Sequence, residues 1–227
     1  MRRGERKMPG NTVLLLEQEI GQSEIVIQKP NVKRKLAYLA LKRLFDIVFA
    51  VCGIILLFLP MLVIAVLIRM DSPGFPIFIQ ERLGKDGKPF MIFKFRSMQL
   101  DAEEDGPRWA EKNDPRCTRV GSFLRKTRLD ELPQLLNILL GDMSLVGPRP
   151  ERRYFYNYFE SYIHGFSYRM LVKPGLTGLA QVNGGYDLEP QEKIVYDVEY
   201  INKQSVSLDV KCILKTFLLV FTHAGAR

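Results

Sequence analysis

The sequence predicts an α+β fold, mostly helical with one small β-hairpin, built against a membrane segment. Three observations carry this. Ile47 to Ile68 is a run of 22 residues without a charge. Two short alternating stretches follow it, joined through Gly84-Lys85-Asp86-Gly87. Beyond them, apolar residues recur at helical spacing in short segments punctuated by Gly and Pro. At 227 residues and 47% hydrophobic content, the chain can form one substantial domain and an accessory segment. The boundaries read as a basic lead over 1–43, a membrane segment over 44–70 and a larger domain over 71–227. The net charge of +8 suits nucleic acid, an anionic membrane surface or a phosphorylated substrate equally well. Three scattered cysteines without a CxxC suggest neither a disulfide framework nor a zinc site, which fits a reducing interior. With two histidines in all, the carboxylates are left to carry any chemistry.

Taken in order, the lead is basic and weakly structured, with room for a short strand or helical turn between Thr12 and Ile27. Lys33, Arg34, Lys35, Lys42 and Arg43 alternate with Leu36, Leu39 and Leu44, the pattern of an interfacial helix on anionic headgroups. The apolar run that follows would cover about 33 Å as a straight helix, enough to span a bilayer. Pro60 interrupts it and removes a backbone donor. Broken at Leu59-Pro60, the run becomes two arms of about 13 and 8 residues, roughly 20 and 12 Å long, each too short to cross. PIFIQERLG and KPFMIFKFRSM form the hairpin, with Phe93 and Phe95 on one face and Lys94 and Arg96 on the other. Gln99 to Asp114 reads as an acidic, mobile surface helix and loop, with Trp109 at the interface or in packing. A helix is expected over 121–127 and another over the aromatic-rich 154–168, one face of it against the core or the membrane. The closing segment puts Ile213, Leu214, Phe217, Leu218 and Phe221 on a wide apolar face, either core or in-plane amphipathic.

The centre of the chain is RKTRLDELPQLLNILLGDMSLVGPRP, residues 125–150. Leu135, Leu136, Leu139 and Leu140 recur at helical spacing and Gly141 supplies a stop. Asp130 is therefore expected at or beside a helix N-cap, with Pro133 in the first turn. Arg125, Lys126 and Arg128 precede the Asp130-Glu131 pair and Arg149 follows it. Carboxylates able to attack or to hold Mg²⁺ thus stand beside cations able to hold an anion. An Asp followed by Glu is also a common way to start a helix.

The whole string decides between these. KRLFD (42–46), KFRSM (94–98), the block over 114–150 and KPGLTGLAQVNG (173–184) closely resemble the bacterial sugar transferases, the monotopic phosphoglycosyl transferases. The likeness extends from about Lys42 to the end. It implies a re-entrant helix-break-helix with Pro60 at the break, amphipathic surface helices, and a catalytic unit on the cytoplasmic face of the inner membrane. It further implies transfer of a phospho-sugar from a UDP-sugar to polyprenyl (undecaprenyl) phosphate with release of UMP. Asp130 would be the nucleophile, forming an aspartyl-phosphosugar intermediate, and Glu131 with Asp130 would hold Mg²⁺. Arg125, Arg149, Arg116, Lys94 and Arg96 would bind phosphate. Pro174, Gly175, Thr177, Gly178, Gln181 and Asn183 would form the nucleotide-sugar loop. Many members carry Arg after the Asn-Gly, whereas Gly185 and Tyr186 follow it here. Partners would be the two substrates, the membrane, later glycosyltransferases and, compatibly, a second copy of the chain.

Two readings from other classes compete. A non-catalytic membrane scaffold for polysaccharide enzymes would tolerate loss of both carboxylates. A nucleic-acid module would exploit the charge but has no use for the apolar run. The motifs concern phosphates and do not select a sugar.

Overall fold

The structure, a computed structural model, describes residues 13–16, 24–32, 35–104, 106 and 114–222. The lead carries two strands, β1 (Val13–Leu16) and β2 (Glu24–Ile27), paired antiparallel. A single helix, α1 (Leu36–Asp71), follows, and then the hairpin β3 (Ile77–Leu83) and β4 (Pro89–Phe95). The remainder is α2 (Arg119–Thr127), α3 (Gln134–Leu140), β5 (Ser144–Val146), α4 (Arg153–Glu160) and β6 (Ile163–His164). It closes with β7 (Gly175–Thr177), α5 (Leu179–Asn183), α6 (Pro190–Lys203) and α7 (Val206–Thr222). The strands form three small sheets, β1-β2-β6, β3-β4 and the parallel pair β5-β7. A mostly helical α+β fold is what the patterning predicts.

Among the described residues, α1 is the helix long and apolar enough to cross a membrane by length and composition. Its 36 residues would extend about 54 Å if straight. The two arms expected around Leu59-Pro60 are one uninterrupted helix with Pro60 inside it. A packing stripe accounts for this continuity. Ala50, Ile54 and Leu57 pack into a core with Leu135, Ile138 and Leu145, while Met61, Ile64 and Ile68 pack with Phe95 and Leu124. The stripe keeps helical spacing through the proline, so both sides of it rest on the same domain. At Gly53 a Cβ would lie 3.1 Å from Leu135 Cδ1, which brings α1 and α3 close. The opposite side leaves Leu44, Val48, Ile55, Leu59, Leu62 and Val66 exposed, an apolar surface suited to lipid.

Several local expectations change. The boundary at 43/44 falls inside α1, whose first turns include Lys42 and Arg43. The lead is not an appendage, because β2 runs parallel to β6 and Ile27, 2% exposed, packs with Phe155, Phe159, Ile163 and Phe166. The helix expected over 154–168 ends at Glu160, whose carboxylate accepts from Gly165 N (2.8 Å) and Ser167 N (2.6 Å) and so holds a turn. The chain continues as β6 and a 3-10 segment, Phe166–Leu171. Within 99–114, residues 101–104 are a turn rather than helix, and Trp109 lies outside the described residues. The closing helix has one side packed on the core and one side exposed. Cys212, Ile213 and Leu219 face the core, while Val210, Leu214, Phe217 and Leu218 are exposed.

The expected hairpin forms, with Ile77 opposite Phe95 and Leu83 opposite Pro89. Its docking partner is Asn137, a fully buried residue on α3. Phe93 N donates to Asn137 Oδ1 (3.0 Å), and Asn137 Nδ2 donates to Met91 O (2.7 Å). One amide thus completes the backbone bonding of β4 and fixes α3 beside it.

Candidate active site

The site begins where α2 stops. Arg128 takes a left-handed conformation (φ 59°), unusual for a residue with a side chain, and turns the chain into a 3-10 segment, Leu129–Glu131. Asp130 therefore lies within that turn and is not the N-cap of α3. Pro133 occupies the cap position, without a side-chain bond to the helix. Helical turns already begin at Arg128, which caps the 3-10 segment and whose carbonyl accepts from Glu131 N (3.2 Å), so the carboxylates lie between that cap and the start of α3.

Glu131 is clamped. Arg149 donates to it through both terminal nitrogens, Nη1 reaching Oε2 at 3.3 Å and Nη2 reaching Oε1, and Lys94 Nζ lies 3.3 Å from Oε1. Burial pushes the Glu131 carboxyl up, but Arg149 and Lys94 outweigh it and hold the group well below the usual carboxylate range. Asp130 makes no side-chain hydrogen bond among the described residues. Burial, then the negative charge of Glu131, raise it to about 6 against the pull of Lys94, Arg149 and Arg125. Adjacent carboxylates thus occupy opposite conditions, one a fixed anion and one an unengaged base.

Both line a cavity of about 470 Å³. Its cationic lining is Arg82, Lys94, Arg96, Arg116, Arg125, Arg128, Arg149, Arg152, Arg169 and Lys193, and its acids are Glu103, Asp130, Glu131, Glu151 and Glu189. That excess of positive charge suits a polyanion.

All five cations expected at the site line this cavity, but they are differently engaged. Lys94 and Arg149 hold Glu131. Arg116 forks onto Asp114 (2.7 and 2.9 Å), and Arg125 Nη1 lies 3.4 Å from Cys117 Sγ. Arg96 is buried and donates to Pro73 O (2.6 Å) and to Ser72 O and Oγ (both 2.9 Å), so it chiefly fixes the turn leaving α1.

Of the expected nucleotide-sugar loop, Gln181 lines the cavity and the others do not. Pro174 O accepts from Ser144 N (2.8 Å), the Thr177 and Thr216 hydroxyls lie 2.6 Å apart, and Asn183 joins Leu179 O (2.8 Å) to Lys215 (3.2 Å). Gly175 and Gly178 have a packing reason. Ser144 pairs with Gly175 and Val146 with Thr177, and a Cβ on Gly175 or Gly178 would overlap the backbone of Gly147. The two glycine-bearing motifs therefore serve each other, and together they carry Arg149 to the cavity. Pro60 is exposed on α1 and outside the cavity.

Motif reading missed Arg82, Arg152, Arg169 and Lys193. Arg169 is the most informative. It pairs with Asp197 at 2.6 Å, lies over the Phe166 ring at 4.8 Å, and donates to Arg149 O at 2.9 Å. Its only sequence signal is a lone charge after an aromatic run.

Mg²⁺ fits this donor set in one way. No group of three or more His, Cys, Asp or Glu able to hold a metal occurs among the described residues. Mg²⁺ is commonly held by one or two carboxylates with substrate phosphates and water completing the shell. Asp130 and Glu131 can provide that much.

Residues 37–223 match the family model for bacterial sugar transferases. The chain belongs to the bacterial sugar transferase family. The chain is 46% identical over 193 residues to the UDP-N-acetylgalactosamine-undecaprenyl-phosphate N-acetylgalactosaminephosphotransferase of Aeromonas hydrophila, covering 84% of this chain and 46% of the relative. It is 46% identical over 191 residues to the UDP-glucose:undecaprenyl-phosphate glucose-1-phosphate transferase of Escherichia coli K12, covering 82% and 41%. A protein of that same name from Caulobacter vibrioides is 44% identical over 193 residues, covering 82% and 71%. The chain thus spans less than half the length of the first two. The lead with β1 and β2 lies before the matched range.

Proposed function

We propose that this transferase moves a sugar phosphate from a UDP-sugar to a polyprenyl phosphate, the acceptor that the names of its relatives specify as undecaprenyl phosphate. The observation that carries the reading is Asp130, an unengaged carboxylate beside a clamped Glu131 in a cation-lined cavity. A carboxyl raised to about 6 is still largely ionised at neutral pH and is more basic than an ordinary aspartate.

In the first step a carboxylate oxygen of Asp130 attacks the phosphorus that bears the sugar. The bond from that phosphorus to the UMP oxygen breaks, and UMP leaves with the electron pair. In the second step an oxygen of the lipid phosphate attacks the same phosphorus. The acyl-phosphate bond breaks and Asp130 returns as carboxylate, leaving a diphosphate-linked sugar on the lipid. Anion attacking anion needs charge neutralisation, which Arg149, Lys94 and Arg125 supply around the reacting phosphate. Mg²⁺, when bound by Asp130 and Glu131 with the donor diphosphate, would add to that neutralisation. A scaffold without chemistry gives no role to this arrangement.

The same proposal seats the protein on one face of the inner membrane, the cytoplasmic one where UDP-sugars are made. Both ends of α1 support this. Near its start the Asp46 carboxylate accepts from Leu145 N (2.9 Å), and at its end Asp71 accepts from Val120 N (2.8 Å). A helix tied at both ends to one domain keeps that domain on one side of the bilayer, with its exposed apolar side, Pro60 included, turned to lipid. The exposed residues of α7 would lie in the same interface.

Intact-mass measurement on protein incubated with a panel of UDP-sugars and no acceptor tests the chemistry. A sugar-phosphate adduct with up to about one equivalent of UMP is expected, and Asp130→Asn should give neither. An adduct that persists in Asp130→Asn removes that residue as nucleophile. UMP release that strictly requires both substrates favours direct transfer instead.

A further inference from the structure

Three charged residues in the first turns of α1 each grip a different element of the catalytic domain. Arg43 donates to Ile138 O (Nη1, 2.6 Å) and Leu139 O (Nη2, 2.8 Å), carbonyls in the last turn of α3, where Ile138 O also accepts from Gly141 N (3.1 Å). Asp46, buried, accepts through Oδ1 from Leu145 N (2.9 Å) and Ser144 Oγ (3.1 Å) in β5. Lys42 Nζ lies 2.9 Å from Asp209 Oδ2 on α7. The other oxygen of Asp209 is 2.8 Å from the Tyr200 hydroxyl, which also lies 3.1 Å from Val146 O, again in β5.

None of Lys42, Arg43, Asp46 or Asp209 lines the cavity. What they hold does reach it. The α3 segment is entered through Asp130-Glu131, and β5 runs through Gly147-Pro148 into Arg149. Carboxylate arm and arginine arm meet at the Arg149–Glu131 pair, and each is fastened at its far end to the same turn of α1. A shift of that turn would move both arms.

We propose that Arg43 and Asp46 are positioning residues, which register the two arms of the site against the membrane helix and so tie the geometry of the site to its depth at the lipid surface. This rests on the reading that the acceptor is a membrane lipid phosphate. The coupling predicts a selective defect. Loosening the root of α1 lets the two arms shift together relative to the membrane helix, so the site rides at the wrong depth for an acceptor held in a bilayer while an acceptor in solution can still follow it.

The test uses the full chain in lipid nanodiscs and compares two acceptors, a long-chain polyprenyl phosphate in the bilayer and a short-chain prenyl phosphate in solution. Their rate ratio does not depend on the fraction of active protein. Asp46→Ala should lower the ratio about 10-fold, since small misplacements are costly in a positioned site. Asp46→Asn retains an oxygen that can accept from Leu145 N and should stay within about 3-fold of the parent. Should Asp46→Ala not fold, Arg43→Gln, which removes only the bonds to the end of α3, carries the same comparison. Equal loss with both acceptors, or no loss, overturns the proposal. Hydrogen exchange supplies an arm that needs no substrate. Exchange in 137–149 should quicken in Asp46→Ala while the β3–β4 hairpin is unchanged, and uniform or absent change counts against the coupling. If the parent protein transfers to neither acceptor, the lipid-phosphate reading fails, and the exchange arm still decides the coupling.

Discussion

The Arg149–Glu131 and Arg169–Asp197 pairs use the same chemistry in two settings. Arg149 and Glu131 border the cavity, with side chains 23% and 12% exposed, and Lys94 joins them. Arg169 and Asp197 are each 1% exposed and enclosed by Phe166 and Tyr156. The first pair can exchange an internal partner for a phosphate at little desolvation cost, because its groups already face the cavity. The second cannot, since separating it strands a charge that is almost fully buried. The two are linked, because Arg169 donates to the carbonyl of Arg149. A reactive ion pair here rests on an inert one.

Breaking the inert pair should produce the largest loss of stability. Arg169→Ala leaves Asp197 charged and buried, and unfolding by denaturant should show a cost of about 3–5 kcal/mol. The cavity pair should respond in activity instead. Arg149→Lys keeps the charge but loses the two-nitrogen grip on Glu131. Turnover should fall about 10²-fold, with a midpoint of unfolding close to the parent's. A variant that unfolds as readily as Arg169→Ala would erase the distinction between the pairs.

The smallest effect is a titration. Asp130 is raised to about 6, so kcat/KM should fall below that pH with a single-proton slope as the nucleophile is protonated. Its folded value lies above the unfolded one near 3.8, so protonation across that window favours the folded state. Glu131 is shifted the other way. Its ion pairs stabilise the fold above the unfolded glutamate value and are lost only at more acid pH. Activity should therefore disappear before stability as pH falls. Coincident loss of both, followed by circular dichroism and UMP release in the same buffers, would contradict the assignment of Asp130.

The legible parts of the site are those where chemistry and sequence neighbourhood coincide. Asp130, Glu131, Arg125 and Arg149 could be read together because they lie within one string of mixed charge. Lys94 could be read from strand alternation. Arg82, Arg169 and Lys193 could not, because a charge on a distant strand or helix looks the same whether it meets water or a cavity. Glycine misled for a related reason. A glycine needed for backbone to meet backbone, as at Gly175 and Gly178, has the same sequence signature as one needed for backbone to meet a ligand. Asp46 reads as the polar flank of an apolar run, yet it is a buried acceptor for β5.

By itself the sequence determined the elements whose cause is local. These are the hairpin, the stop at Gly141, the long apolar run, and the adjacency of two carboxylates to a run of cations. Alternation, a left-handed glycine and an uncharged run each act within a few residues, so no distant partner is needed to specify them. Tertiary structure decided what depends on partners far along the chain. It gave adjacent carboxylates opposite protonation behaviour by setting Arg149 and Lys94 against one of them, and it kept α1 helical through Pro60 by packing both sides on one domain. Burial and Coulomb interactions depend on distance in space, which for these residues only the fold supplies.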